Sequence, residues 1–266
     1  MAVLTVKSAK RILEANMLFR TVYGPEIKAI YKYISDSSEL TRDAIRRTFL
    51  MDRAQSSQSV DDALAFLLSA GLIKQKKKTF VSQSLSSTSF RIRLLERLRQ
   101  LEQGLQDPHH SLDPLYMLLL TQLFIEPSAL YLKDVHGAAN QLDRVKEQGG
   151  LSQEKIRAWE RVMSFLGLGH RVSGGFLCSY EPQLLIEILQ DWGEERGILQ
   201  YFLEHQLGCL LPYAQANGDL AKAVKQPLLY LQKRSCLEMF PMQDSPTKAY
   251  FGDSRYKGLT WGGNGA

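Results

Sequence analysis

One short stretch limits what this chain can fold into, because an apolar helical pattern stops at a glycine and runs straight into a basic hairpin pattern. Five apolar residues recur at the spacing of one helix face: Val60, Ala63, Leu64, Leu67 and Leu68. Gly71 follows, and glycine readily adopts the left-handed conformation that closes a helix. In residues 72–81, two β-prone pieces flank a lysine-rich tip. The sequence therefore predicts a third helix that leads directly into a basic hairpin.

Two further helices are predicted ahead of this stretch. Pro25 suits the first turn of a helix, and four apolar residues follow it at helical spacing: Ile27, Ile30, Tyr31 and Ile34. Thr41 is the predicted N-cap of a second helix over 42–50. Ser59 is the predicted N-cap of the third helix.

Three helices followed by a basic hairpin resemble a winged helix-turn-helix domain. The residues that carry the resemblance are Leu67-Leu68-Ser69-Ala70-Gly71-Leu72-Ile73, where the third helix closes and the first hairpin strand begins. It covers about residues 24–83, within a domain assigned to 24–88, and it indicates a fold rather than a particular family. The resemblance implies duplex DNA binding, with the third helix in the major groove and the hairpin beside it as a wing.

A similar pattern returns over 109–182. Its segment Ser164-Phe165-Leu166-Gly167-Leu168 parallels Leu68-Ser69-Ala70-Gly71-Leu72, and Ser173-Gly174-Gly175 then predicts a tight turn between two β-prone pieces. We therefore expect a second, divergent winged-helix-like domain. The expected fold class is mainly α with small β-hairpin wings: tandem winged-helix domains plus a C-terminal helical region.

The remaining segments are an N-terminal helix at 1–23, a linking helix at 89–108, a helical region at 183–240 and a Gly/Pro-rich tail at 241–266. The linking helix has a seam of leucines that either pairs two chains or packs on its own domain: Leu94, Leu98, Leu101 and Leu105. The tail carries four aromatic residues that dock either on the chain itself or on a partner: Tyr250, Phe251, Tyr256 and Trp261.

Composition excludes several classes of protein. The longest apolar runs, such as Leu115–Leu120, have six residues, whereas a membrane-spanning helix requires roughly 18 or more. The N-terminus lacks a secretory pattern. The three cysteines, Cys178, Cys209 and Cys236, are too dispersed for a disulfide framework or a cysteine zinc site. We therefore expect a protein of the cytoplasm, or of the nucleus in a eukaryote, with no membrane association.

The chain also lacks the common catalytic signatures. Phosphate-binding glycine loops, the zinc-protease helix motif and the serine-nucleophile elbow are all missing, and the five histidines are not at metal-ligand spacing. We expect a non-enzymatic protein without a cofactor, a metal or a small-molecule ligand.

The charge is unevenly distributed along the chain. Residues 1–106 contain 18 Lys and Arg against 10 Asp and Glu, whereas residues 107–266 contain 15 against 18. Such asymmetry is typical of a chain whose basic part meets a polyanion and whose other part meets protein. The candidate phosphate contacts are the hairpin lysines and the arginines around them: Lys74, Lys76, Lys77, Lys78, Arg46, Arg47, Arg53, Arg91 and Arg93.

The third helix itself is poorly suited to contact bases, because Asp61 and Asp62 near its N-terminus repel the phosphates on either side of the groove. Phe66 is expected to point outward as a protein contact. We therefore expect backbone-dominated DNA binding, by a regulator or by the DNA-associated subunit of a larger assembly. The alternative is a winged-helix scaffold with little DNA affinity, whose partner or second copy binds Phe66, the leucine seam and the aromatic tail.

Overall fold

The computed structural model describes residues 24–37, 39–50, 57–83, 89–104, 115–241, 250–251 and 256–262. Over these residues the chain is mainly helical, with three small antiparallel sheets of three strands each. It divides into two compact units. One combines the residues up to Tyr116 with Leu151–Val162, and the other combines Met117–Gly150 with the residues from Met163 onward. The helix expected at 1–23 lies outside the described residues.

The first sheet belongs to a run of elements that we call repeat 1. In chain order these are α1 (Gly24–Ser35), β1 (Leu40–Thr41), α2 (Arg42–Phe49), α3 (Gln58–Ser69), β2 (Ile73–Lys76) and β3 (Thr79–Ser82). β3 is the middle strand and runs antiparallel to β1 and β2. The predicted apolar face of α1 is buried, and the Ala44 N–H donates to the predicted N-cap, Thr41, at 3.2 Å. The helix α4 (Phe90–Glu102) follows this repeat.

The second sheet belongs to repeat 2. Its elements are α5 (Leu115–Leu120), a π-helical continuation (Thr121–Ile125), β4 (Tyr131–Leu132), α6 (Val135–Ala139), α7 (Asp143–Glu147), α8 (Gln153–Phe165), β5 (His170–Val172) and β6 (Gly175–Leu177). β6 is the middle strand, between β4 and β5. Ser173 and Gly174 form the two-residue turn, both with positive φ, as the hairpin pattern predicted.

The third sheet belongs to repeat 3, which the sequence did not reveal. Its elements are α9 (Pro182–Trp192), β7 (Arg196–Ile198), α10 (Leu199–Tyr201), a π-helical continuation (Phe202–Leu207), α11 (Gly208–Leu210), α12 (Lys222–Lys233), β8 (Leu237–Phe240) and β9 (Gly258–Trp261). β9 is the middle strand, between β7 and β8. The structure thus differs from the expected division into a helical region and a separate tail, because part of that tail is the central strand of a sheet.

The helix that directly precedes each hairpin ends in the same way in all three repeats. Gly71, Gly167 and Ser235 adopt left-handed φ values of 65°, 74° and 58°. The next residue in each case donates its N–H to the carbonyl five residues earlier: Leu72 to Leu67, Leu168 to Met163, and Cys236 to Leu231. This hydrogen-bond pattern satisfies the last helical carbonyls and turns the chain into the first hairpin strand.

Candidate nucleic-acid interface

The basic hairpin of repeat 1 is a tight two-residue turn between β2 and β3. Lys76 is paired with Thr79, so Lys77 and Lys78 form the tip. The Thr79 hydroxyl donates to the Lys76 carbonyl at 2.9 Å, and Gln75 Nε2 donates to the Lys77 carbonyl at 3.1 Å. Lys77 has a φ of 54°, a conformation that costs a residue with a Cβ about 1 kcal/mol or more. These bonds hold the tip in a defined shape despite that strain.

All four lysines of the hairpin are exposed. Successive side chains of a strand point to opposite faces, so Lys74 and Lys76 lie opposite the face that carries Phe80, which is only 1% exposed. Among the described residues, none of the four lysines forms an ion pair; the nearby Glu39 carboxylate accepts a hydrogen bond from Thr79 at 3.5 Å. The hairpin therefore presents four closely spaced positive charges to solvent, which is the chemistry that a row of phosphates requires.

Arg46, predicted as a phosphate contact, instead links α2 to α3. Its Nη2 and Nε donate to the two carboxylate oxygens of Asp61 at 2.5 and 3.2 Å, and the Ser57 hydroxyl donates to the same carboxylate at 3.0 Å. Burial by itself raises the pKa of Asp61, but these hydrogen bonds and the charges of Arg46 and Arg42 outweigh burial and lower it below its usual range. The expected repulsion of phosphates by Asp61 is thus largely neutralised within repeat 1.

The other predicted arginines differ in how accessible they are. Arg47 is exposed, and its Nε donates to the Asp43 carbonyl at 3.3 Å. Arg93 is half-buried and donates to the Tyr31 hydroxyl at 2.7 Å, so its guanidinium supports the packing of α4. Arg91 is also half-buried, and Arg53 lies outside the described residues.

Arg42 is a basic residue beside the hairpin that the sequence reasoning missed. Its guanidinium lies 5.9 Å from the centre of the Phe80 ring, and its Nε lies 3.9 Å from Asp61 Oδ1. The residue is exposed at the start of α2. A signal existed in the spacing, because Arg42 and Arg46 lie four residues apart on one face of the same helix.

Phe66 is not a surface residue, and the expectation that it points outward is wrong. Its side chain is fully buried and meets the Tyr116 ring edge-on at 6.0 Å between centroids. The buried face of α3 includes Phe66 rather than Leu68, so it is rotated relative to the predicted one. Tyr116 is in turn anchored by its carbonyl, which accepts a hydrogen bond from the Trp159 indole at 2.8 Å.

The other proposed partner contacts are also mostly inside the chain. Leu94, Leu98 and Leu101 are buried on α4, in agreement with packing on their own domain, while Leu105 lies outside the described residues. Of the four aromatic residues of the tail, three are buried, namely Tyr250, Phe251 and Trp261. The fourth, Tyr256, is half-buried. Trp261 lies in β9, and the Tyr250 hydroxyl donates to Glu204 at 2.7 Å.

The described residues contain no group of three or more His, Cys, Asp or Glu side chains arranged to hold a metal ion. None of the described helices combines the length and the apolarity that crossing a membrane requires. Comparisons with protein-family models, with curated proteins and with solved structures found no match to this chain.

Proposed function

We propose that this chain is a non-enzymatic DNA-binding protein built from winged helix-turn-helix units, and that its basic hairpin contacts the phosphates of duplex DNA. On this proposal the protein acts as a regulator or as the DNA-associated subunit of a larger assembly. The observation that carries the proposal is the cluster of four exposed lysines on a rigid two-residue hairpin.

The order of elements supports the winged-helix assignment. Each repeat has a helix, a short strand, further helical segments and a hairpin, and the last strand is always the middle of the sheet. In a winged helix the hairpin is the wing, which lies beside the third helix. The resemblance therefore extends to repeat 3, for which the sequence pattern predicts only helices and a tail.

The chemistry of repeat 1 favours phosphate contacts over base contacts. Lysines bind phosphates as point charges and need no particular base beside them. The third helix α3 offers Asp62 and Ser69 on its less buried side, and Phe66 is covered. Repeat 1 therefore contributes affinity that is independent of DNA sequence.

The alternative function, a protein-interaction scaffold, requires exposed surfaces at residues that are mostly buried. Phe66, the described leucines of the seam and three of the four tail aromatics are buried within the chain, so they are not available to a partner.

The test is fluorescence anisotropy of the full chain with a 25-base-pair duplex of random sequence, repeated from 50 to 300 mM salt. We expect binding that weakens with salt, with four hairpin contacts contributing about −3.6 to the slope of log K against log salt. Lys76→Ala combined with Lys77→Ala and Lys78→Ala is expected to flatten that slope by up to about three. Undetectable binding at 50 mM salt would overturn the proposal.

A further inference from the structure

Exposed apolar side chains are concentrated in repeat 3. Among the described residues, six large hydrophobic side chains are exposed, and four of them belong to this repeat: Ile198, Tyr201, Leu229 and Tyr230. Single exposed apolar residues are ordinary, whereas apolar residues grouped within a polar rim are typical of a protein contact. The four residues lie on two surfaces, α12 and the junction of β7 with α10. These two surfaces are therefore the candidates for an interface.

The first surface, which we call the basic face, is the outward side of α12. Its five exposed residues are Lys222, Gln226, Leu229, Tyr230 and Lys233. The spacings of 4, 3, 1 and 3 residues place them on one side of the helix. The guanidinium of Arg234 adds a further positive charge, because it lies 5.4 Å from the centre of the Tyr230 ring. The basic face thus has an apolar centre and positively charged surroundings.

The second surface, which we call the acidic face, lies where β7 runs into α10. Ile198 and Tyr201 are its apolar centre, and the His205 ring lies 4.6 Å from the Tyr201 ring between centroids. Gln206 Nε2 donates to the Asp191 carboxylate at 3.2 Å, which holds this carboxylate beside the π-helical continuation of α10. The segments before and after the apolar centre carry four exposed carboxylates: Asp191, Glu194, Glu195 and Glu204.

The two faces are opposite in charge. Residues 222–234 contain four Lys and Arg and no Asp or Glu, whereas residues 181–210 contain six Asp and Glu and one Arg. Among the described residues, neither Lys222 nor Lys233 forms an ion pair, so both charges can bind a partner. Opposite charges around matched apolar centres favour a specific protein interface, because the apolar centres supply affinity and the charges fix the orientation.

The equivalent helix of repeat 1 has the corresponding aromatic residue covered. The helices α3 and α12 both have 12 residues and both end two residues before a left-handed closing residue, so they align without a gap. The alignment places Phe66 opposite Tyr230. Phe66 is fully buried against the edge of the Tyr116 ring, whereas Tyr230 is 46% exposed. In repeat 3, the exposed Tyr201 of a second copy is an aromatic ring that can cover this position.

We propose that this chain self-associates, with the basic face of one copy packed on the acidic face of another. The two apolar centres pack on each other, and the lysines of the basic face meet the carboxylates of the acidic face. Because every copy carries both faces, two such contacts related by a two-fold axis close a dimer. This inference goes beyond the proposed DNA binding and does not depend on it.

The experiment is sedimentation velocity of the full chain from about 1 to about 100 µM, with dimers expected toward the upper end of this range. Lys222→Glu combined with Lys233→Glu reverses the basic face, and Asp191→Lys combined with Glu195→Lys reverses the acidic face. Each double variant alone should associate about tenfold more weakly than the wild-type chain, because like charges then face each other. An equimolar mixture of the two should regain association, because each reversed face attracts the reversed face of the other variant.

Lys28→Glu combined with Lys32→Glu is the matched control, because it makes the same change of charge at two exposed positions of α1. We expect it to associate as the wild-type chain does, and circular dichroism checks that all three double variants are folded.

The inference is overturned if the wild-type chain stays monomeric at about 100 µM. It is also overturned if the folded variants associate as well as the wild-type chain, or if their mixture stays monomeric. A monomeric wild-type chain whose duplex binding falls more on reversal of the basic face than in the control would show that this face contacts DNA instead. Failure to bind duplex DNA overturns only the proposed function, so the two failures are distinguishable.

Discussion

Repeat 1 and repeat 3 have the same order of elements but differ in which element carries the exposed lysines. In repeat 1 the hairpin carries four exposed lysines, and the outer face of the third helix is acidic and partly covered. In repeat 3 the third helix carries the exposed lysines, and the closing strand brings buried Trp261 into the sheet. One arrangement of helices and strands can therefore place positive charge on either of two neighbouring elements.

The difference teaches that the fold alone does not identify the binding surface. Phe66 and Tyr230 occupy equivalent positions, yet the first is covered by Tyr116 and the second faces solvent. What packs against the third helix decides whether that helix can bind a ligand. The assignment of function has to follow exposure and charge at each repeat separately.

The largest expected contrast is in stability. Phe66→Ala should lower the free energy of unfolding by about 3–5 kcal/mol, because it leaves a cavity beside Tyr116. Tyr230→Ala, at the equivalent position, should change it by about 0.5 kcal/mol or less, because the ring is exposed. Thermal and urea unfolding followed by circular dichroism measure both. Equal losses in the two variants would contradict the contrast.

Exchanging glycine and serine at the closing residues of α12 and α3 should change the stability of the chain in opposite directions. Ser235→Gly is expected to stabilise the chain by about 1 kcal/mol, because glycine adopts the left-handed conformation without a steric cost. Gly71→Ser is expected to destabilise it by a similar amount, about 1 kcal/mol, for the same reason. The melting temperatures of the two variants check this. A fall in melting temperature for Ser235→Gly would show that the Ser235 side chain has a compensating role.

Lys77→Gly should separate strain from charge at the tip of the hairpin. Glycine relieves the positive φ of Lys77 and should add up to about 1 kcal/mol of stability. Loss of one phosphate contact should flatten the salt slope of DNA binding by about 0.9. Lys78→Ala is the control, because it removes the same charge where φ is not positive. If both variants raise the melting temperature equally, the strain at Lys77 is not the cause.

The smallest expected effect concerns Asp61. Its folded-state pKa is lowered, so its interactions stabilise the chain above the usual carboxyl pKa of about 3.9 and this stability is lost as the pH falls through the folded-state pKa. On acidification from pH 5 to pH 3, the free energy of unfolding of the Asp61→Asn variant should therefore fall by about 0.5 kcal/mol less than that of the wild-type chain. Urea unfolding at the two pH values measures the difference, and identical losses would show that the ion pair contributes no stability.

Features of repeat 1 that depend on local chemistry were predictable from the sequence. The apolar spacing of α1, the N-cap at Thr41 and the stop at Gly71 each depend on a few neighbouring residues, and the structure confirms all three. The hairpin followed from β-prone residues around a polar tip, and β2 and β3 confirm it.

Features that depend on distant residues were not predictable in the same way. The phase of α3 is set by Tyr116, 50 residues beyond Phe66 in the sequence. Repeat 3 was not recognised in the sequence because Ser235 stands where the other two repeats have glycine. In addition, 17 residues separate β9 from β8, the nearer of the two strands with which it pairs, so no local pattern joins the two.

The most direct test of the account is the change in salt slope when two hairpin lysines are removed. Lys76→Ala with Lys77→Ala should flatten the slope of log K against log salt for random duplex DNA by about 1.8. Lys28→Ala with Lys32→Ala removes two exposed lysines from one face of α1 and should leave the slope unchanged. Equal changes in the two double variants, or no change in either, would contradict phosphate binding by the hairpin.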